Sequence, residues 1–319
     1  MKRFSYLVVV ATLLPAWPAA AQVGGVALKS QWFTGSLEAP SPALPQTGLL
    51  AVEPYLIYTG DKGMYDDRGH YRSTSDNLDQ SQLLLVLKYG LTDRLSIEAL
   101  PSVTQASLNN LRATGVGDLP VELEYRLIDQ NNKTGAPSIT AEFGVSLPTG
   151  AYDHLHSAVD GFGSGAYMVK EGLLFQSLFE TSGNHPVRIR GYIAAYQPIA
   201  RVNVDDVSAY GTDEGFRGHV LPGRSTVIGI GAGYAFTQRW VAAIDIVENY
   251  ADGFKLNGRE SVGGQAASQS PSSRSLGLAP AIEYNWSATM GVIAGVEFSA
   301  AGRNTPAYVS PQIALSMAF

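Results

Sequence analysis

The chain of 319 residues contains no cysteine. That absence excludes disulfide bonds, thiolate zinc sites and cysteine nucleophiles at once. Charged residues are also scarce, at 16% of the chain, and their formal net charge is −6. Because nucleic-acid binding depends on an excess of positive charge, this balance argues against a nucleic-acid partner.

Long apolar runs are missing from the sequence after residue 20. No stretch in that part of the chain approaches 18 consecutive apolar positions. The sequence therefore predicts no helical membrane span in the mature chain. A shorter apolar run over 4–14 follows two basic residues, and Ala19 and Ala21 fit a small-residue cleavage site. We predict a cleaved signal peptide over residues 1–21. The alternative, a retained membrane anchor, is disfavoured because the run is too short.

Alternation of apolar with small or polar residues is what the sequence has instead. Near its end, Ile313, Leu315 and Met317 alternate with small or polar residues, and the chain finishes on Phe319. A strand with one apolar face has this period of two, because successive side chains of a β-strand point to opposite faces. A final aromatic strand is typical of bacterial outer-membrane barrels, whose assembly machinery reads it. We therefore predict that Phe319 is an assembly signal and that the barrel-assembly machinery is a partner.

The same period of two predicts twelve strands after residue 48. They are placed near 49–59, 80–91, 94–105, 117–128, 136–147, 165–178, 186–198, 224–236, 239–249, 273–286, 289–300 and 305–319. The connections between them alternate between short turns and long loops, which indicates an outer-membrane barrel. We predict an all-β, membrane-spanning antiparallel up-and-down barrel over 49–319. Its short turns would be periplasmic, its long loops extracellular, and its surroundings outer-membrane lipid.

Charged side chains occupy the face of these strands opposite the apolar one. Each would be costly in lipid, about 2–4 kcal/mol for lysine or arginine at the midplane, so they must point into the lumen. The predicted lumen and constriction residues are Glu53, Lys88, Glu98, Glu122, Glu124, Arg126, Glu142, Arg188, Arg190, Asp245, Glu283 and Glu297, and Lys170 shares their face.

Two interpretations of these lumen charges stay open. They form an ion-paired core that fills and stiffens the barrel, or they line a solute path and set its selectivity. Arg188 and Arg190 are the predicted polar constriction, because they are neighbours on one strand face. The acids predicted to face them are Glu122, Glu124 and Glu142.

Residues 22–48 do not have the pattern of a strand. They contain Trp32 and Phe33, followed by a proline-rich run over 39–45. One interpretation is a periplasmic N-terminal segment. The other is a plug that enters the barrel and packs Trp32 and Phe33 inside the lumen.

No catalytic or metal-binding constellation emerges from the sequence. All five histidines fall in or beside predicted loops or turns, and none shares an outward strand face with a serine in the way a lipid-hydrolysing barrel would need. His154 and His156, and the acidic pairs at 205–206 and 213–214, suit solvated loops better than metal sites. We predict no enzyme activity, no metal and no cofactor.

Three short motifs carry a family resemblance. They are Tyr89-Gly90-Leu91-Thr92-Asp93-Arg94-Leu95, Gly115-Val116-Gly117-Asp118-Leu119 and Leu147-Pro148-Thr149-Gly150. Their order resembles the meta-pathway phenol-degradation family of outer-membrane β-barrel proteins, over roughly 49–319. The resemblance implies an outer-membrane barrel that helps aromatic compounds cross the membrane, and it brings no catalytic residues.

Together, the pattern and the resemblance predict a passive outer-membrane channel or transport protein for small solutes, aromatic or hydrophobic ones among them. The alternative is a plugged barrel that serves as a structural or surface-interaction protein without transport.

Overall fold

The computed structural model describes residues 31–319 apart from Asp76, Asn132, Lys133, Ser182, Asn184, Val262 and Gly263. The predicted signal peptide, 1–21, lies outside the described residues. In chain order the strands are β1 (Leu50–Tyr65), β2 (Tyr71–Arg72), β3 (Leu78–Thr92), β4 (Leu95–Ala99), β5 (Ser102–Leu108), β6 (Leu111–Val116), β7 (Leu119–Ile128), β8 (Ser138–Leu147), β9 (Met168–Glu180), β10 (Pro186–Pro198), β11 (Val202–Asp205), β12 (Arg217–Leu221), β13 (Ser225–Ala235), β14 (Trp240–Ala251), β15 (Lys255–Arg259), β16 (Gln265–Gln269), β17 (Ser273–Asn285), β18 (Met290–Arg303) and β19 (Thr305–Ala318).

Twelve of these strands form a closed antiparallel barrel. Neighbours pair in the order β1-β3-β4-β7-β8-β9-β10-β13-β14-β17-β18-β19, and β19 pairs with β1 to close the sheet. Consecutive strands are neighbours throughout, which is the up-and-down topology. The predicted fold class and strand number are therefore confirmed.

The third and fourth barrel strands are longer than the sequence pattern predicted. β5 continues β4, β6 leads into β7, and β5 and β6 pair as a hairpin. The prediction of a loop near 106–116 is therefore wrong. The turn of this hairpin is the pair Asn109-Asn110, where Asn109 takes a positive φ of 55° that asparagine tolerates. Pro101, which has no backbone N–H to donate, stands where β4 gives way to β5.

The two faces of the barrel wall differ in chemistry as the alternation predicted. On β17, Ile282 is 46% exposed on the outside, whereas Glu283 beside it is fully buried inside. Aromatic side chains are exposed around the short-turn end, as an interfacial girdle requires. They are Tyr89, Tyr125, Phe179, Phe236, Trp240, Trp286 and Phe319.

The opposite end, which we call the long-loop end, carries more structure than predicted. The loops expected near 199–223 and 250–272 contain β11, β12, β15 and β16, which form a separate four-stranded sheet. Apolar side chains from both loops pack together beneath it, including Val204, Phe216 and Phe254. Because each strand has only four or five residues, its alternation is too short to stand out from a loop.

His154, in the loop between β8 and β9, contacts the loop between β11 and β12. His154 Nδ1 lies 2.8 Å from Asp206 Oδ2, and Asp206 Oδ1 accepts a hydrogen bond from the Gly215 N–H. The Gly215 N–H, followed by the His154 ring, holds the pKa of Asp206 below its usual range. Among the described residues, no group of three histidine, aspartate or glutamate side chains is arranged to hold a metal ion.

Helical structure in the part of the chain that is described includes a short 3₁₀ helix at Ala158–Asp160. Within that part, no helix has the length and the apolar character needed to cross a membrane.

Candidate functional site

The described residues that precede β1 enter the barrel. We call residues 31–48 the lumen segment. It starts at the short-turn end, where Gln31 Nε2 donates to the Gln238 carbonyl at 3.0 Å. It finishes at the same end, where the Thr47 hydroxyl donates to Asp93 at 2.6 Å. The segment therefore makes one excursion into the lumen and returns before β1 begins.

The middle of the lumen segment is buried inside the barrel. Every residue over 33–44 is buried. Phe33 packs against Leu178, Ala235 and Val241 of the wall, and the Arg188 guanidinium lies 4.3 Å from its ring centroid. Of the two aromatic residues considered for the lumen, Phe33 lies inside. Trp32 is half-buried at the rim beneath Arg239.

Three arginines of the barrel wall hold the backbone of this segment. They donate as follows: Arg188 Nη2 to Gly35 O at 2.8 Å, Arg190 Nη1 to Ala39 O at 2.9 Å, and Arg126 Nη2 to Pro42 O at 2.5 Å. The Thr140 hydroxyl also donates to Pro42 O, at 2.7 Å. These charge-assisted bonds satisfy carbonyls that no strand or helix partner serves.

Two wall carboxylates serve the backbone N–H groups in the same way. Glu283 Oε2 accepts from the N–H groups of Thr34 at 2.8 Å and Gly35 at 3.3 Å. Asp245 Oδ2 accepts from the Glu38 N–H at 3.1 Å. Arginine and carboxylate together therefore hold the backbone of the segment, and Arg190 Nη1 also donates to the Ser36 hydroxyl at 3.3 Å.

Glycines on the lumen face leave room for the segment. A Cβ added at Gly231 would lie 2.9 Å from the Ala39 Cβ, and one added at Gly295 would lie 2.5 Å from Leu37 Cδ1. A Cβ at Gly291 would lie 3.2 Å from the Thr34 Cβ and closer still to the Thr34 hydroxyl. The wall lacks a side chain at these points of close approach.

Alanine at Gly291 tests this fit. We expect Gly291→Ala to lower the free energy of unfolding by about 1–3 kcal/mol, because the added methyl overpacks against Thr34. The matched control is Gly233→Ala, whose Cβ would meet its nearest neighbours at 3.5 to 3.8 Å. Urea unfolding in lipid vesicles measures both. Thr34→Gly should restore part of the stability lost in Gly291→Ala, because Asn285 Oδ1, 2.8 Å from the added Cβ, remains. No gain in stability from Thr34→Gly would contradict the fit.

The two lumen lysines belong to separate clusters within the wall. Lys88 contacts Glu98 at 3.1 Å and also Glu124. Lys170 contacts Glu122 at 2.6 Å and Glu142 at 3.2 Å. The strand register explains one contact of the first cluster, since Lys88 of β3 lies directly opposite Glu98 of β4. Glu124 lies opposite Ser96, two residues along β4 from Glu98.

The prediction that Glu122, Glu124 and Glu142 face the Arg188–Arg190 pair is therefore wrong. These acids lie on strands near the lysines and contact them instead. Arg188 forms its ion pair with Glu283 of β17, at 3.0 Å. Arg190 Nε donates to Gln176 at 3.2 Å on the neighbouring strand.

All twelve side chains predicted to face the lumen are buried, as is Lys170. Glu297 accepts a hydrogen bond from the Tyr308 hydroxyl at 2.7 Å, and Glu53 is 1% exposed. Sequence reasoning missed the partners on the lumen segment, such as Glu38, whose carboxylate accepts from Gln312 at 2.8 Å. One signal was present, since the lumen faces of β13 and β18 carry glycine at Gly231, Gly291 and Gly295, where the segment approaches the wall.

Comparison with solved structures finds outer-membrane proteins whose fold is similar to this barrel. The COG4313 outer membrane channel from Pseudomonas putida F1 is 16% identical, with a TM-score of 0.64 over 87% of this chain and 97% of that one. The transport unit of the autotransporter AIDA-I from Escherichia coli is 14% identical, with a TM-score of 0.47 over 86% and 91%. The first likeness supports the fold.

Sequence comparison gives a more specific result. A search of curated protein sequences found no significant match. A family profile described as "Putative MetA-pathway of phenol degradation" matches residues 75–310. That range covers most of the barrel, and the chain belongs to this family.

Proposed function

We propose that the protein is a passive outer-membrane channel for small solutes, aromatic and hydrophobic compounds among them, and that the lumen segment closes it at rest. The family description refers to phenol degradation, and a solved structure with a similar fold is named an outer membrane channel. Exposed apolar side chains around the wall suit a lipid environment. The short-turn end then faces the periplasm and the long-loop end faces outward.

One observation carries the proposal: the wall holds the lumen segment through hydrogen bonds to its backbone, not through covalent or strand pairing. Water can replace such bonds one at a time when the segment moves. The segment also enters and leaves at one end, so it can withdraw without unthreading. Withdrawal would leave a passage lined by glycines and charged side chains.

The charge of that passage favours some solutes over others. With the segment withdrawn, the wall presents eight acids and five bases. The acids are Glu53, Glu98, Glu122, Glu124, Glu142, Asp245, Glu283 and Glu297, and the bases are Lys88, Arg126, Lys170, Arg188 and Arg190. An excess of negative charge in a narrow lumen disfavours anions. We therefore expect neutral aromatic solutes to pass more readily than organic acids.

Solute uptake by liposomes that hold the refolded protein tests this function. The panel is a small sugar, an amino acid, an organic acid and a phenol-like aromatic, each compared with empty liposomes. Spontaneous withdrawal of the lumen segment opens the channel part of the time, so we expect protein-dependent uptake of the aromatic to exceed that of the organic acid severalfold. Protein-dependent uptake of nothing in the panel would overturn the channel.

A second candidate function is a plugged barrel that acts through its surface. Two observations favour it: the lumen segment is buried over 33–44, and the sheet at the long-loop end has an apolar cluster of its own. This candidate makes no use of the lumen. The liposome panel therefore separates it from the channel.

Phe319 extends the proposal to assembly. Its N–H donates to the Leu50 carbonyl at 2.9 Å and its carbonyl accepts from the Leu50 N–H at 3.0 Å, so it joins β19 to β1. Its ring is 67% exposed and contributes little to the core. We propose that the assembly machinery recognises this ring. Phe319→Ser should lower the amount of folded barrel in the outer membrane severalfold, and Phe319→Trp should not; equal amounts would contradict recognition.

A further inference from the structure

Three residues form a row across the outer wall near the long-loop end. Tyr250 of β14 lies opposite Arg274 of β17, and Arg274 lies opposite Arg303 of β18. Two arginines thus stand directly across an antiparallel strand pair. Like charges in that position destabilise a sheet when nothing lies between them.

The row faces away from the lumen. Ser275, the neighbour of Arg274, is buried inside the barrel, whereas the Arg274 side chain is 59% exposed. The register of β17 and β18 shifts by one residue beside Leu276, and that bulge brings Arg303 to the same outer face as Arg274. The sequence alternation alone would have placed Arg303 inside.

The height of the row corresponds to a membrane surface. Arg274 stands twelve positions before Trp286, which belongs to the aromatic girdle at the short-turn end. At the usual rise and tilt of barrel strands, that separation is about 30 Å along the membrane normal. The apolar band of such barrels is about 25 Å tall. The arginines therefore lie at the level of the opposite headgroups, next to Tyr250, an aromatic suited to that level.

The two guanidinium groups are only partly neutralised. Glu248 Oε1 accepts from Arg274 Nε at 2.7 Å. Arg303 is exposed and forms no ion pair or side-chain hydrogen bond with the residues that the structure describes. Asp252 Oδ1 accepts from the Tyr250 hydroxyl at 3.0 Å, and among the described residues no ion pair joins Asp252 to either arginine. Arg303 therefore keeps an unpaired positive charge, and the row keeps several free donors. Planar guanidinium groups bind phosphate through paired hydrogen bonds.

We propose that Arg274 and Arg303 together bind a phosphate group on the headgroup of an outer-leaflet glycolipid, with Tyr250 packed beside it. The phosphate would lie between the two positive charges and remove their repulsion. The inference rests on the proposed outer-membrane location and does not depend on channel activity.

Binding of lipid A, a phosphate-bearing glycolipid, to the refolded full barrel in detergent micelles tests the site. The variant is Arg274→Gln with Arg303→Gln. The matched control is Arg217→Gln with Arg259→Gln, a second pair of opposed arginines that lies in the separate sheet at the long-loop end. We expect lipid A to bind the control like the original chain and the variant at least tenfold more weakly. Heat-dependent gel migration verifies that all three proteins are folded.

Other outcomes have definite meanings. Equal lipid A affinity in all three proteins would overturn the site, as would equal weakening in the control pair. Retained affinity for a dephosphorylated form of the glycolipid would overturn phosphate recognition, and full competition by millimolar inorganic phosphate would overturn the lipid as its source. Insertion into phosphatidylcholine vesicles is measured separately, and failure there would contradict the outer-membrane location itself.

Discussion

A barrel that begins at Leu49 is expected to conduct ions at least about tenfold better than the chain that begins at Gln22. The lumen segment fills the passage with backbone and side chains over 33–44, and a twelve-stranded lumen is narrow enough for one segment to close it. Removal leaves eight acids and five bases on the wall. We therefore also expect the open form to prefer cations. Conductance and reversal potential in planar bilayers measure both effects.

The control for this deletion begins at Gln31, so it keeps every described residue of the lumen segment. Its conductance should stay at the level of the longer chain. Unchanged conductance in the barrel that begins at Leu49 would contradict closure by the segment. A preference for anions in the open form would instead contradict the role given to the wall acids.

The second large effect is expected at Arg188. Arg188→Met removes the hydrogen bond to Gly35 O and leaves Glu283 buried without its cation. Removing one partner of a buried ion pair is expected to lower the free energy of unfolding by about 3 kcal/mol. Loss of the hydrogen bond to the Gly35 carbonyl should also increase the time that the channel spends open. Urea unfolding and bilayer recordings follow the two consequences.

Two further variants separate stability from gating in this experiment. Arg188→Met with Glu283→Gln should recover more than half of the lost stability, because the unpaired charge is gone. Lys88→Met breaks a wall cluster whose acids are Glu98 and Glu124 and leaves the bonds to the lumen segment intact. It should destabilise the barrel without longer openings. Longer openings in Lys88→Met would show that any loss of stability opens the channel.

Strong alternation made the barrel predictable. Ile282 and Glu283 adjoin on β17 and have opposite environments, so their order alone indicates which side faces lipid. The same argument assigned all the lumen charges to the inside. It failed where alternation is short, as in the four-residue strand β11, and where a bulge shifts the face, as at Arg303.

The partners of the lumen charges were not predictable in this way. Arg190 donates to the carbonyl of Ala39, and Asp245 accepts from the backbone of Glu38. Almost every residue has the same backbone N–H and carbonyl groups, so the residue types around 38–39 do not indicate that these hydrogen bonds form. The segment also has no periodicity that would fix its path. Glycines on the lumen face, Gly231 of β13 and Gly291 and Gly295 of β18, do record in the sequence that another part of the chain approaches the wall there.

A reversible cross-link between the lumen segment and the wall tests most directly that movement of the segment opens the channel. The chain has no cysteine, so Thr34→Cys with Gly291→Cys introduces a single pair. A Cβ at Gly291 would lie 3.2 Å from that of Thr34, close to the separation of a disulfide. Bilayer recordings should show a closed channel when the pair is oxidised and renewed openings after a reductant is added. Equal conductance before and after reduction, with the disulfide verified by mass, would contradict the account.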